Sequence, residues 1–299
     1  MSLIPKNIYK TAPYLHQKLK KLYLNTEIQN PGWKIKFYND KDCIKFLENE
    51  FSKDNLDLRK NVLKSYNKLI PSAYKADLWR LCVIYEYGGV YSDASQIFKI
   101  PIDQIIDTKK EFCIIKDKTF NNYQGLQIAL FSSVKRHPFL LKYIEEIINN
   151  VRNRKYGVSC LHVTGPGLAY DVANKYEFLD KLKIIGRMGN SKNCKYLNND
   201  RKEIVIKADF HKNVVYRENP HLHYGPLWRK KKIYNISNEN PEPAPAPAPA
   251  KSQQKEINIF HKKQTIIKKK NKIKKINNLN YNKNNMLIGN DSRNYSFSY

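Results

Sequence analysis

Apolar residues recur at helical spacing over residues 74–87, with Leu78, Leu81, Cys82 and Tyr85 on one side. Gly88-Gly89 ends that helix, because glycine accepts the left-handed backbone that closes a helix C-terminus. Val90-Tyr91 then reads as a short strand, β-branched and aromatic, with Asp93 at its C-terminal end. Upstream, residues 4–10 read as a buried strand and Thr11-Ala12-Pro13 as its turn. Residues 14–24 read as a helix and 33–38 as an alternating strand, and Asn39-Asp40 caps a helix over 41–50. Downstream, 111–115 and 127–131 read as strands. His137-Pro138 starts a helix that runs on over 139–151. Thr164-Gly165-Pro166-Gly167 is a turn into a helix over 168–176, and 204–206 is a late strand. Strands alternating with helices imply an α/β domain around a mostly parallel sheet.

The pattern breaks at Asn240, where a Pro-Ala spacer begins. The division expected is one α/β domain over 1–239, a Pro/Ala-rich linker over 240–254 and a disordered tail over 255–299. The net charge is +27, and from Lys251 onward 12 Lys and Arg stand against two acids. Such an excess favours anionic partners: nucleotide phosphates, nucleic acid or acidic membrane. The run Lys268-Lys269-Lys270-Asn271-Lys272-Ile273-Lys274-Lys275 makes the tail a candidate for phosphate contacts, and equally a solvated tail. The five scattered cysteines have no paired ligand spacing and read as reduced, mostly buried thiols. With neither a signal peptide nor an 18-residue apolar run in view, the expected location is cytoplasmic.

The chemistry collects around residues 73–95. Asp77 and Arg80, three apart, share a helix face, and the next strand delivers Asp93 at the strand end where α/β folds place ligands. A guanidinium suits phosphate oxygens, carboxylates suit Mg²⁺ or Mn²⁺, and an acid such as Asp77 accepts sugar hydroxyls.

The stretch Ala-x-x-Ala-Asp-x-x-Arg followed by Tyr-x-Tyr-Gly-Gly-Val-Tyr-x-Asp resembles the sugar-binding region of glycosyltransferases that carry an Asp-x-Asp motif. The likeness is to the branch with α-1,6-mannosyltransferases, bacterial capsule and toxin glucosyltransferases and viral relatives. Ile-Pro-Lys-Asn-Ile-Tyr-Lys-Thr (4–11), Thr-Gly-Pro (164–166) and His-Tyr-x-x-x-Trp (223–228) fall in the family's order, so the likeness runs over about residues 3–235. It implies a GT-A fold, a Rossmann-like nucleotide-sugar-binding architecture, and transfer of a sugar from a UDP- or GDP-sugar to a glycan or protein acceptor with retention of configuration. Asp77, Arg80 and Asp93 are its implied catalytic residues. Thr11, Ala12, Tyr74, Gly88, Gly89, Tyr91, Ser95 and Trp228 join them in binding the donor. Thr11 and Ala12 would lie near the nucleobase, and Arg80 would reach sugar and diphosphate. Asp93, Ser95 and His223 would hold Mn²⁺ or Mg²⁺, which with Arg80 would neutralise the leaving diphosphate.

The chain departs from that pattern where it reads Asp93-Ala94-Ser95, since the second acid is a serine. A neutral ligand leaves three states open: a weaker metal site, a metal-independent one, or a catalytically weakened GT-A-fold protein that binds sugar nucleotides or other anionic ligands. The opening strand also has Tyr9-Lys10 where His-Gln is usual. The donor sugar and the acceptor have no readable code.

Overall fold

The computed structural model describes residues 2–117, 124–189, 195–207 and 223–235. The expected linker and tail, together with Cys194 and His221, lie outside the described residues.

The chain opens β1 (Asn7–Thr11), α1 (Gln17–Gln29), β2 (Lys34–Tyr38), α2 (Asp40–Asn49), α3 (Leu56–Lys68), α4 (Ser72–Tyr87) and β3 (Gly89–Ser92). It continues with β4 (Gln96–Phe98), β5 (Phe112–Lys116), β6 (Leu126–Ser133), α5 (Pro138–Arg152), α6 (Pro166–Lys175), β7 (Lys183–Met188), β8 (Tyr196–Leu197), β9 (Glu203–Lys207) and α7 (Tyr224–Arg229). Local chemistry explains several boundaries. Asn39 caps α2 in a reciprocal box with Asp42. His137 caps α5, whose first residue is Pro138. Gly88 closes α4 at φ +65°, and Gly89 follows at φ +111°. A Cβ on Gly88 would sit 2.8 Å from the Lys135 nitrogen, and one on Gly89 would sit 2.7 Å from the Asn7 carbonyl oxygen. Both glycines are thus required by the backbone turn and by close packing.

Among the described residues nine strands form one sheet in the order β2-β1-β3-β6-β5-β7-β8-β9-β4. The sheet is mixed, which corrects the expectation of a mostly parallel one. Among the described strands, β1–β2, β1–β3 and β5–β7 pair in parallel. The β3–β6, β5–β6, β7–β8, β8–β9 and β4–β9 pairs run antiparallel. A parallel pair needs a long crossover, usually a helix, whereas a short return gives an antiparallel neighbour. Helices fill the connections β1–β2 and β2–β3, whereas among the described residues none lies between β5 and β6 or between β7, β8 and β9.

Adjacent strand residues point to opposite faces, and here both faces are covered. Tyr9, Tyr91, Phe112, Ile114 and Phe131 belong to the core beneath the helices. Their neighbours Ile8, Val90, Cys113, Ile115 and Leu130 belong to a second core on the other face. Helix α4 crosses the larger core. It was expected to bury one side, but residues 78–86 are buried all round, because α4 is packed against β1, β3 and β6 as well as α2, α3 and α5.

Candidate active site

The parallel strands β1 and β3 end side by side, and the loop Asp93-Ala94-Ser95 crosses their C-terminal ends. Ala94 packs with Ala12, which follows β1, and with Leu19 of α1. From below the sheet edge α4 presents Asp77 and Arg80, one helical turn apart as their spacing requires.

Arg80 is the hub. Its Nη2 lies 3.3 Å from Asp77 Oδ1 and its Nη1 lies 3.4 Å from Asp93 Oδ1. Its remaining valences are also taken: Nη1 donates to the Ile128 carbonyl at 3.1 Å and Nε to the Ala76 carbonyl at 3.2 Å. The guanidinium stacks 4.4 Å above the Tyr91 ring, and the Tyr91 hydroxyl donates to Asp93 Oδ1 at 3.0 Å. Arg80 is therefore a buried organiser that aims two carboxylates. The expectation was of an arginine reaching out to sugar and diphosphate; here the guanidinium is buried, with four of its five N–H groups directed at Ala76, Ile128, Asp77 and Asp93.

The two acids are the more accessible partners, Asp77 at 14% and Asp93 at 19% side-chain exposure. Thr164, just before α6, donates its hydroxyl to Asp77 Oδ2 at 2.8 Å. Tyr143 of α5 fixes that loop by donating to the Thr164 and Gly165 carbonyls at 2.6 and 2.7 Å. Gly165 packs against the same carboxylate, since a Cβ there would lie 3.7 Å from Asp77 Oδ2. Burial raises the Asp77 carboxyl to about 6, against the opposing pull of Arg80 and the Thr164 hydrogen bond. On Asp93 the second oxygen, Oδ2, meets Lys207 Nζ at 3.6 Å. Beneath the loop, Lys10 is almost fully buried, and its Nζ donates to Ser92 Oγ at 3.0 Å and to the Asp93 carbonyl at 3.4 Å. Burial lowers this amine to about 7 although Asp93 pulls it upward.

Of the residues expected to act, Asp77, Arg80, Tyr91 and Asp93 come together, and Ala12 touches the same loop. The others are placed differently. Thr11 donates to the Tyr38 carbonyl at 2.9 Å and meets Cys43 Sγ at 3.3 Å. Tyr74 donates to the Cys160 carbonyl at 2.7 Å and packs against Tyr224. Gly88 and Gly89 lie at the opposite end of β3 from Asp93. Trp228 turns its indole N–H to the Tyr156 carbonyl at 2.7 Å. The sequence singles out Thr164 and Lys10 only within the family-like stretches, without a role, and gives no sign of Tyr143 or Lys207. A lysine inside a buried strand was a signal for Lys10, but one lysine among so many gave none for Lys207.

The implied metal fits these residues poorly. Ser95, the second motif position, has a buried hydroxyl with no hydrogen-bond partner, so it is both neutral and closed to an incoming ion. Asp93 already has a cation on each oxygen. His223, the third expected ligand, accepts the Gly225 N–H on Nδ1 at 3.1 Å as the cap of α7 and stacks on Tyr224. Among the described residues no three His, Cys, Asp or Glu side chains gather as a metal-binding group. The expected set Asp93, Ser95 and His223 is therefore not assembled.

Two carboxylates held by one guanidinium thus stand at the C-terminal ends of parallel strands, the place where α/β folds bind ligands. The family comparison narrows this. Residues 16–112 match the family described as "Glycosyltransferase sugar-binding region containing DXD motif", a stretch that includes Asp77, Arg80, Gly88-Gly89 and Asp93. The initiation-specific alpha-1,6-mannosyltransferase of Candida albicans (strain SC5314 / ATCC MYA-2876) is 24% identical over 213 residues, 58% of this chain and 53% of the relative. The chain thus spans about half the length of the curated relative it matches. Among solved structures, the PaToxG glycosyltransferase aligns at TM-score 0.45 and 19% identity, covering 58% of this chain and 70% of the other. The UDP-bound glycosyltransferase domain of the YGT toxin aligns at 0.35 and 12%, covering 50% and 52%. TM-scores of this size do not establish a common fold. The likeness to glycosyltransferases accordingly rests on the match over residues 16–112 and on the curated relative.

Proposed function

We propose that this chain transfers a hexose from a UDP- or GDP-sugar to a glycan or protein acceptor, with retention of configuration, on a GT-A-type domain over residues 1–239. The observation that carries the reading is the pair of carboxylates, Asp77 and Asp93, aimed by one buried guanidinium at the C-terminal end of β3. Asp77 accepts hydroxyls of the donor sugar and thereby orients its anomeric carbon. Asp93 receives a further hydroxyl from the donor sugar or ribose. Arg80 and Thr164 hold both acids still, so little reorganisation is needed at the moment of reaction. In the transfer, the bond from the anomeric carbon to the β-phosphate oxygen breaks and its electron pair leaves with the nucleoside diphosphate. The acceptor hydroxyl oxygen forms the new bond, and its proton passes to the departing diphosphate. The basic tail is a separate candidate contact for an anionic partner.

Ser95 supports a second reading, a sugar-nucleotide binder without turnover, because the hydroxyl at the second motif position is buried and unpartnered. The two readings separate in one assay. The full chain is incubated with common UDP- and GDP-sugars, with and without Mn²⁺, and release of the nucleoside diphosphate is followed. Release from one donor, lost in a folded Asp93→Asn variant, is the expected result. Equal turnover in Asp93→Asn and Arg80→Ala would sink the transferase reading. Donor binding without release would favour the binder.

A further inference from the structure

A divalent cation enters an acidic site because carboxylates there carry negative charge that the protein leaves uncancelled. The balance here is different. Asp77 and Asp93 already face Arg80 and Lys207, and the Lys10 amine lies beneath the same loop. Even with Lys10 set aside, two cations meet two acids.

Lys207 is placed by the sheet. Strand β4 begins directly after the Asp93-Ala94-Ser95 loop and pairs antiparallel with β9, so that Lys207 stands opposite Gln96. That pairing sets its Nζ 3.6 Å from Asp93 Oδ2, the oxygen that Arg80 does not hold. A metal bound to that oxygen at about 2 Å would have to displace the ammonium. Ser95 would bring no charge to help, and its hydroxyl is closed off. Arg80 is 8% exposed, with both nitrogens that face the acids already on them, whereas Lys207 is 31% exposed. Of the two cations, Lys207 is the one that can touch a ligand.

We infer that Lys207 stands in for the divalent cation, holding the outer oxygen of Asp93 and pairing with the diphosphate of an incoming nucleotide, so that the site works without metal. The inference rests on the donor-site reading above. An ammonium has three donors on one compact charge, enough for Asp93 and a phosphate oxygen together. It carries half the charge of a divalent ion, and the chain's net +27 supplies a longer-range attraction for an anionic ligand.

The test is calorimetric titration of UDP and of GDP into the full chain, in EDTA and in Mn²⁺. The tighter nucleotide should bind within about twofold equally in the two conditions. Lys207→Ala should weaken it in EDTA by about tenfold or more, the size of a lost charge-assisted hydrogen bond. Lys207→Arg should restore most of the affinity. Lys6→Ala, which removes an exposed lysine paired with Asp103, should change nothing and controls for loss of general positive charge. Thermal melts confirm that each variant is folded. Binding that appears only with Mn²⁺, or that ignores Lys207→Ala, overturns the inference and leaves the donor-site reading standing. A folded chain that binds neither nucleotide in either condition overturns the donor-site reading, and this inference with it.

Discussion

Replacing Asp77 by asparagine should make the protein more stable at neutral pH while removing a residue the donor needs. Asp77 is buried beside Arg80, Asp93, Lys207 and the Thr164 hydroxyl. Burial opposes its charged form more strongly than Arg80 supports it, because that guanidinium is shared with Asp93. The carboxyl therefore stands at about 6 in the fold against 3.8 ordinarily. Between those values the folded chain holds a proton that the unfolded chain has released, so stability falls as pH rises. The penalty is absent below pH 3.8 and complete above pH 6. At about 1.4 kcal/mol per pH unit, this displacement amounts to about 3 kcal/mol. Asparagine is nearly isosteric with the protonated acid and does not titrate. The assay is urea unfolding of both proteins by circular dichroism from pH 4 to 8. The stability difference, variant minus parent, should climb by roughly 2.4 kcal/mol between pH 4 and 7 and then level off. A flat difference, or one that falls with pH, would mean that Arg80 outweighs burial and would refute the reasoning.

Three further perturbations probe the same assembly. Arg80→Met strands two buried carboxylates against each other and should cost about 3–5 kcal/mol of unfolding free energy; a loss under about 1 kcal/mol would show that the acids can reach solvent. Gly89→Ala forces a side chain onto φ +111° with its Cβ 2.7 Å from the Asn7 carbonyl oxygen. It should cost about 1–3 kcal/mol of stability yet leave nucleotide affinity of the folded protein intact, whereas affinity lost at unchanged stability would return the glycine to the donor site. Lys10→Met removes a buried amine lowered to about 7 from 10.5. Between those values the unfolded chain binds a proton that the fold refuses, so the parent loses stability as pH falls. The variant's advantage should be larger at pH 7 than at pH 10 by denaturant titration, and an advantage independent of pH would contradict this.

Much of the scaffold was legible because its signals are local. The Asn39 and His137 caps, the glycine stop at Gly88-Gly89 and the strands around Ile8, Tyr91, Ile114 and Leu130 each depend on a few neighbouring residues. The mixed direction of the sheet was not legible, since it is decided by which strands pair across long separations. Helix α3 and strand β7 were not legible either, and the strands β4 and β8, of three and two residues, are too brief to show a period.

The amino-acid order by itself determined that Asp77 and Arg80 share a helix face, that a glycine turn follows, and that Asp93 ends the next strand. Helical pitch and backbone stereochemistry act over one or two turns, and no fold is needed to compute their effect. Only the tertiary structure decided that Arg80 is buried between the two acids, that Thr164 reaches Asp77 and that Lys10 lies under the loop. It alone placed Lys207 opposite Gln96 and so beside Asp93. These contacts join residues many tens of positions apart. They arise from strand register and from packing on two faces of one sheet, and a register is the choice of the whole sheet rather than of any one strand.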